Sequence, residues 1–337
     1  MLFCTIVITA ILSPLILGLR IGGIVPRLPA LDWTLTIDAR TAAVAEAIHQ
    51  PKIVFIGGSN IRFGVDATAL SRDLNMPVIN YGQHASLGID VIADRALHFV
   101  NPGDIVVFAP ELSHFRKAGA TEFSDDLRID FLAEHPSPLD PTLQSFPTRE
   151  WHRSRSRCTR IRDVVEKFLR LRIESVLDDD RHGGVTGRRE PSPYTLDAIG
   201  PDGSMIFPRP GPRPYEKWVL SDPPANVSAM ELVTSRGGVA FALLKKACAE
   251  RHCTLCVMPP IRLTIPDNPD FEPAEMLRME QHFIDFAVAN GAIKLMNPGD
   301  TVLPRADGYD TDYHLNDVGV KIMEPRIAAA MQRVLKR

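Results

Sequence analysis

The sequence predicts an α/β fold, a parallel sheet with flanking helices in three layers, interrupted by a large irregular insertion. Three observations predict it. Apolar runs of strand length at residues 52–58, 77–82 and 104–112 alternate with helix-period stretches at 67–75 and 88–100, and strands so spaced need crossover connections and therefore run parallel. The same rhythm resumes near Val239. Between the two halves, from about 113 to 230, it is lost in segments rich in Pro, Arg and acids, such as "HPSPLDPT" and "PDGSMIFPRPGPRPYEKW".

In chain order, a Pro-punctuated linker, "VPRLPALDW", leads to a helix at 38–49 and then to the strand "KIVFIGG". "ATALSRDLN" reads as a helix, "PVINYG" as a short strand, "GIDVIADRALHFV" as an amphipathic helix and "DIVVFAPEL" as a continuous apolar strand. In the second half come the helix "VAFALLKKACAERH", the strand "CTLCVMPP", the helix "PAEMLRMEQHFIDFAVANG", the short strand "AIKLM" and a last helix at 316–336. The basic stretch at 153–172 reads first as a solvated face and second as a surface for a membrane or an anionic polymer.

The chain has 337 residues, enough for a sizeable core, and a formal net charge of −3, which excludes the basic footprint a nucleic-acid-binding protein needs. Its five cysteines form no metal-type pair of pairs. Cys253 and Cys256 read C-x-x-C but lie in an apolar run, so buried, inert thiols are expected. Residues 2–19 carry no charge and are about long enough to cross a bilayer core. A membrane anchor over residues 1–26 is the leading reading, with a cleaved signal or an interfacial helix as alternatives, and residues 27–337 form the α/β domain.

Ligands of open parallel sheets bind beyond the carboxyl ends of the strands, so the residues there are the candidates. Ser59 leads, on a strand-to-helix turn where its hydroxyl is exposed and its N–H stands at a helix start. Gly57 and Gly58 let the backbone take positive φ and let a substrate approach; a plain turn capped by serine or asparagine is the alternative. Gly82, ending the second strand, offers an N–H to the same pocket or is ordinary turn chemistry. The third strand end, "APELSHF", offers Glu111, Ser113 and His114 as pocket lining or loop. A phosphate site at Gly57–Gly58–Ser59 is a weaker alternative.

Near the C-terminus, "GYDTDYHLNDVG" places Asp310, Asp312 and His314 just before a helix that Asn316 or Asp317 caps. An imidazole with a neighbouring carboxylate is the base and orienting acid a serine nucleophile needs. In an extended segment alternate side chains share a side, and Asp312 is the nearer acid; Asp310 needs a loop that doubles back. The nucleophile elbow G-x-S-x-G is excluded by Ile61, and the dinucleotide fingerprint and the Walker loop are absent.

On "IVFIGGSNIRFGVDATALSRDLNMPVINYG" and "DYHLNDVG" the chain resembles the SGNH (GDSL-like) hydrolase superfamily. Within it the chain is similar to the membrane-anchored, extracytoplasmic branch of DltD and the alginate O-acetylation proteins. The resemblance spans roughly residues 50–115 and 235–337 and implies an SGNH/flavodoxin-like fold. It further implies Ser59 as nucleophile, His314 as base with Asp312 as its acid and Asp310 as the alternative, and the N–H groups of Ser59 and Gly82 as oxyanion donors. The family's third block adds an asparagine that "APELSHF" lacks. The implied activity is that of a serine O-acyl esterase or acyltransferase on an exported carbohydrate or cell-envelope polymer, needing no metal or organic cofactor. The implied partners are the membrane, through the N-terminal helix, and a membrane-bound acyltransferase. The implied alternative is a catalytically impaired protein of this fold that binds a glycan or that partner.

Overall fold

The computed structural model describes residues 29–116, 194–266 and 272–337, with 127, 128, 131, 132 and 135. The chain divides into two compact units, residues 33–125 with 193–337, and residues 1–32 with 126–192. Of the latter, only the start of one helix and the scattered residues between 127 and 135 are described. The apolar run at 2–19 and the basic stretch at 153–172 lie outside the described residues. Among the described residues, no helix is long and apolar enough to cross a membrane.

The larger unit is an α/β structure on a five-stranded, all-parallel sheet. Its strands are β1 (Ile53–Gly57), β2 (Val78–Gly82), β3 (Ile105–Ala109), β4 (Thr254–Val257) and β6 (Ile293–Lys294), in the order β2-β1-β3-β4-β6. β1, β2 and β3 are buried along their whole length, which is why β1 and β3 read as unbroken apolar runs, a strand covered on both faces having no polar side, while β2 is interrupted by the buried Asn80. Seven helices accompany them among the described residues: α1 (Pro29–Ala47), α2 (Ser59–Gly64), α3 (Ala67–Leu74), α4 (Ile89–Ala96), α5 (Arg236–Arg251), α6 (Pro273–Ala289) and α7 (Asp317–Leu335).

The two-residue alternation of the strands sorts their side chains between two layers. Ile53 and Phe55 join Leu70 of α3, Met276 and Met279 of α6, and Met323 and Ile327 of α7 in one buried cluster. Helices α4 and α5 pack on each other and against β1 and β4, and contribute nothing to that cluster; they cover the opposite face. At the entry to β1 and β3 the buried Lys52 and Asp104 form an ion pair of 2.9 Å, with the Lys52 N–H donating to the same carboxylate at 3.0 Å. This pair pins the register of the two central strands at the end opposite the candidate site.

The helix starts follow from capping. Asp66 accepts from the Ala69 N–H, Ser235 from Gly238, Glu272 from Glu275, and Asn316 from both Val318 and Gly319. Sequence periodicity misses α2 and the two-stranded parallel sheet of β5 (Arg262–Thr264) and β7 (Val302–Pro304), each too short to show a period. The helix expected at 38–49 begins earlier, at Pro29, and the one expected at 88–100 ends at Ala96. Cys248, Cys253 and Cys256 are free, with Cys256 fully buried in the core. The described part of the insertion, 194–230, adds no strand to the main sheet. It forms three short 3-10 turns and joins the rest through a bridge between Val219 and Thr311.

Candidate active site

The strand order runs outward in both directions from β1 and β3, so the crevice beyond their carboxyl ends is where such a sheet takes its ligand. Ser59 follows β1 and Glu111 follows β3. The two glycines before Ser59 do not take positive φ, contrary to the sequence expectation; Gly58 lies at φ −80°, ψ −150°. They are required by close approach instead. A Cβ on Gly57 would collide with the Ile61 side chain and stand 2.8 Å from the Ala109 carbonyl oxygen, and one on Gly58 would collide with the Glu111 carboxylate.

Glu111 fills the space that Gly58 leaves. Its Oε1 accepts the Ser59 hydroxyl at 3.1 Å and the Asn60 N–H at 3.2 Å. The Asn60 side chain does not cap the helix but donates to the Ala109 carbonyl at 3.0 Å, tying the ends of β1 and β3 together. Burial pushes the Glu111 carboxyl up to about 7 against the pull of the Asn60 N–H, and nearby Asp312 pushes in the same direction. A carboxylate already stands at this turn, which removes the ground for a phosphate site there. Ser113 and His114, the other residues of this strand end, are buried and do not line the cavity.

The loop before α7 decides the acid. The Tyr309 N–H donates to the His314 carbonyl at 2.8 Å, and the Thr311 hydroxyl oxygen accepts from the N–H groups of Tyr313 at 3.1 Å and His314 at 3.0 Å. The segment therefore doubles back rather than running extended. Asp310 Oδ1 comes to 2.7 Å from His314 Nδ1, and Asp310 Oδ2 accepts the Tyr194 hydroxyl at 2.9 Å. Burial raises the Asp310 carboxyl, but the His314 and Tyr194 contacts outweigh it and hold it below the ordinary carboxylate range. The carboxylate bonded to His314 is thus Asp310 and not Asp312, which the spacing favours. Asp312 is engaged elsewhere: it accepts the Ser221 N–H at 2.8 Å and the Ser221 hydroxyl at 2.5 Å, and burial pushes its carboxyl up.

Ser59, Glu111, Asp310, Asp312 and His314 all line one cavity of about 400 Å3. No hydrogen bond joins Ser59 to His314. Phe63, one helical turn after Ser59 on α2, lines the same cavity and touches the histidine. Its ring stacks on the imidazole with centroids 3.8 Å apart and planes 7° from parallel. The insertion supplies another wall through Tyr194, Arg213, Leu220 and Ser221. Sequence reasoning had no signal for these, because the insertion has no periodicity from which to place them.

Gly82, the expected second oxyanion donor, does not line the cavity. Its N–H donates to Asn80 Oδ1 at 3.0 Å, and a Cβ on it would collide with the backbone of Arg62. Its function in the fold is to seat α2 on the end of β2, where Asn80 Nδ2 also donates to the carbonyls of Ile61 at 2.9 Å and Val65 at 2.7 Å. The residues after it do face the cavity. Gln83 is buried, with neither amide atom hydrogen-bonded. His84 accepts the Ser86 N–H on Nδ1 at 3.2 Å, and burial, with His314 nearby, lowers it to about 4, so the neutral ring carries its proton on Nε2. Among the described residues no group of three or more His, Cys, Asp or Glu is placed to hold a metal ion.

Compared with models of protein families, with curated proteins and with solved structures, the chain finds no match.

Proposed function

We propose that the chain is an SGNH-type serine O-acyl esterase or acyltransferase acting on an exported carbohydrate or cell-envelope polymer, tethered through its N-terminal apolar segment with the α/β domain outside the cytoplasm. One observation carries the reading: a serine on the turn after β1 and an Asp310–His314 pair at 2.7 Å open onto the same cavity. With Nδ1 held by Asp310, His314 takes the Ser59 proton on Nε2 as the hydroxyl turns from Glu111 toward it. Ser59 Oγ then attacks the acyl carbonyl, the alcohol leaves with the proton from His314, and water or a sugar hydroxyl resolves the acyl-enzyme.

A second reading, a catalytically impaired protein of this fold that binds a glycan or a membrane acyltransferase, draws on the Ser59 hydroxyl being bonded to Glu111 rather than to His314. A serine-directed fluorophosphonate separates the two. The enzyme reading expects stoichiometric labelling of the wild-type protein that disappears in Ser59→Ala; an unlabelled wild type sinks it in favour of the binding reading.

A further inference from the structure

We infer that the Gln83 carboxamide holds the acyl oxygen of the substrate while Ser59 attacks; the inference rests on the esterase or acyltransferase reading above. Acyl transfer needs a donor aimed at the carbonyl oxygen as negative charge develops there. The backbone donors around Ser59 are already committed, the Ser59 N–H itself to the Glu111 carboxyl. The Asn60 N–H goes to Glu111 at 3.2 Å, the Gly82 N–H to Asn80 at 3.0 Å, and the N–H of Gln83 itself to the Gly57 carbonyl at 3.1 Å. The third strand end carries no asparagine.

Gln83 has the donor that is missing. It is 2% exposed and forms part of the cavity wall, and Oε1 and Nε2 are themselves buried without a partner, so a turn of the side chain is what brings Nε2 to the acyl oxygen. Burying a carboxamide unpaired at both ends is costly, and the cost is recovered where a ligand completes it. The bond from its N–H to Gly57 anchors Gln83 at the end of β1, two residues before the nucleophile, so amide and hydroxyl share one end of the sheet. In the step itself, the Oγ–C bond forms and the Ser59 proton passes to His314. The carbonyl π pair moves onto oxygen, where the Gln83 Nε2–H binds it. Collapse of the adduct expels the alkoxide, which takes the proton back from His314.

The test compares the full-length wild type with Gln83→Met and Gln83→Glu, reading kcat and KM on p-nitrophenyl acetate, the rate of fluorophosphonate labelling, and Tm. Gln83→Met should lower kcat and the labelling rate about 100-fold with KM little changed. Its Tm should not fall, because the amide gives up no hydrogen bond. Gln83→Glu, which puts negative charge where the oxyanion forms, should lose more. A Gln83→Met variant with wild-type kcat overturns the inference alone. So does a loss of kcat matched by a fall in Tm in both variants, which assigns Gln83 to packing. A wild type that is neither labelled nor active overturns the esterase reading and this inference with it.

Discussion

On the histidine wall of the cavity the imidazole is held from three sides: Asp310 lies 2.7 Å from Nδ1, the Tyr194 hydroxyl steadies the other carboxylate oxygen at 2.9 Å, and Phe63 covers the ring. On the serine wall, by contrast, the Ser59 hydroxyl is turned to Glu111 and the Gln83 carboxamide has no partner. As the proposed base, His314 is set in advance, so its orientation needs no reorganisation at the moment of reaction. Ser59, as the proposed nucleophile, exchanges its hydrogen bond to Glu111 first. On the proposed esterase or acyltransferase reading, the difference teaches where substrate has work left to do: it completes the serine wall and finds the histidine wall complete.

The sharpest way to break this contrast is to remove the acid. Asp310→Asn should lower kcat on an activated ester by about 10,000-fold, as loss of an orienting aspartate does in serine proteases, while Asp312→Asn should stay within about tenfold of wild type. A crippled Asp312→Asn beside a near-normal Asp310→Asn would show that the histidine wall is organised around the wrong carboxylate.

On the serine wall, the strained group is Glu111. Its folded value of about 7 stands above the ordinary 4.5, so the folded state binds this proton more tightly than the unfolded chain. The stabilisation is fully present below pH 4.5 and is lost as pH rises through about 7. Between those limits wild type should therefore lose about 3 kcal/mol of stability that Glu111→Gln does not lose. Urea unfolding of both proteins at each pH measures the difference directly, and subtraction removes the opposite trend expected from His84, whose lowered value favours folding as pH rises. Identical slopes would mean that the Ser59 and Asn60 hydrogen bonds already compensate the buried carboxylate.

The smallest effect tests the third support of the imidazole. Tyr194→Phe keeps the ring and removes one hydrogen bond to a charged acceptor, which should lower kcat/KM about tenfold. A change below about twofold would place Tyr194 outside the base's support and leave the histidine wall resting on Asp310 and Phe63 alone.

Much of the sheet was legible because its strands are buried on both faces and long enough to show it, as in "IVVFA" of β3. Ser59 and His314 were legible for a related reason: each stands at a boundary, one where an apolar run meets glycine, the other just before a capped helix. The acid was not. Treating residues 310–314 as extended favoured Asp312, and only the hydrogen bonds of Thr311 and Tyr309 reveal the loop that returns Asp310 to the ring. Gly82 misled in the same way, since the side chain that takes its N–H belongs to Asn80 and nothing local announces that bond.

Periodicity and composition therefore settle, without coordinates, that this chain builds a parallel α/β sheet with an interrupting segment and that a serine and a histidine lie at its boundaries. Those properties are local, written in the order of apolar residues and the position of glycines and caps. Which carboxylate serves the histidine, which donor faces the serine and which walls close the cavity are decided by contacts between segments far apart in sequence. Glu111 reaches Ser59 from the next strand of the sheet, and Tyr194 and Ser221 reach the loop at 310–314 from the insertion. Such pairings depend on how the chain returns on itself, and a hydrogen bond between distant residues leaves no trace in the spacing of either.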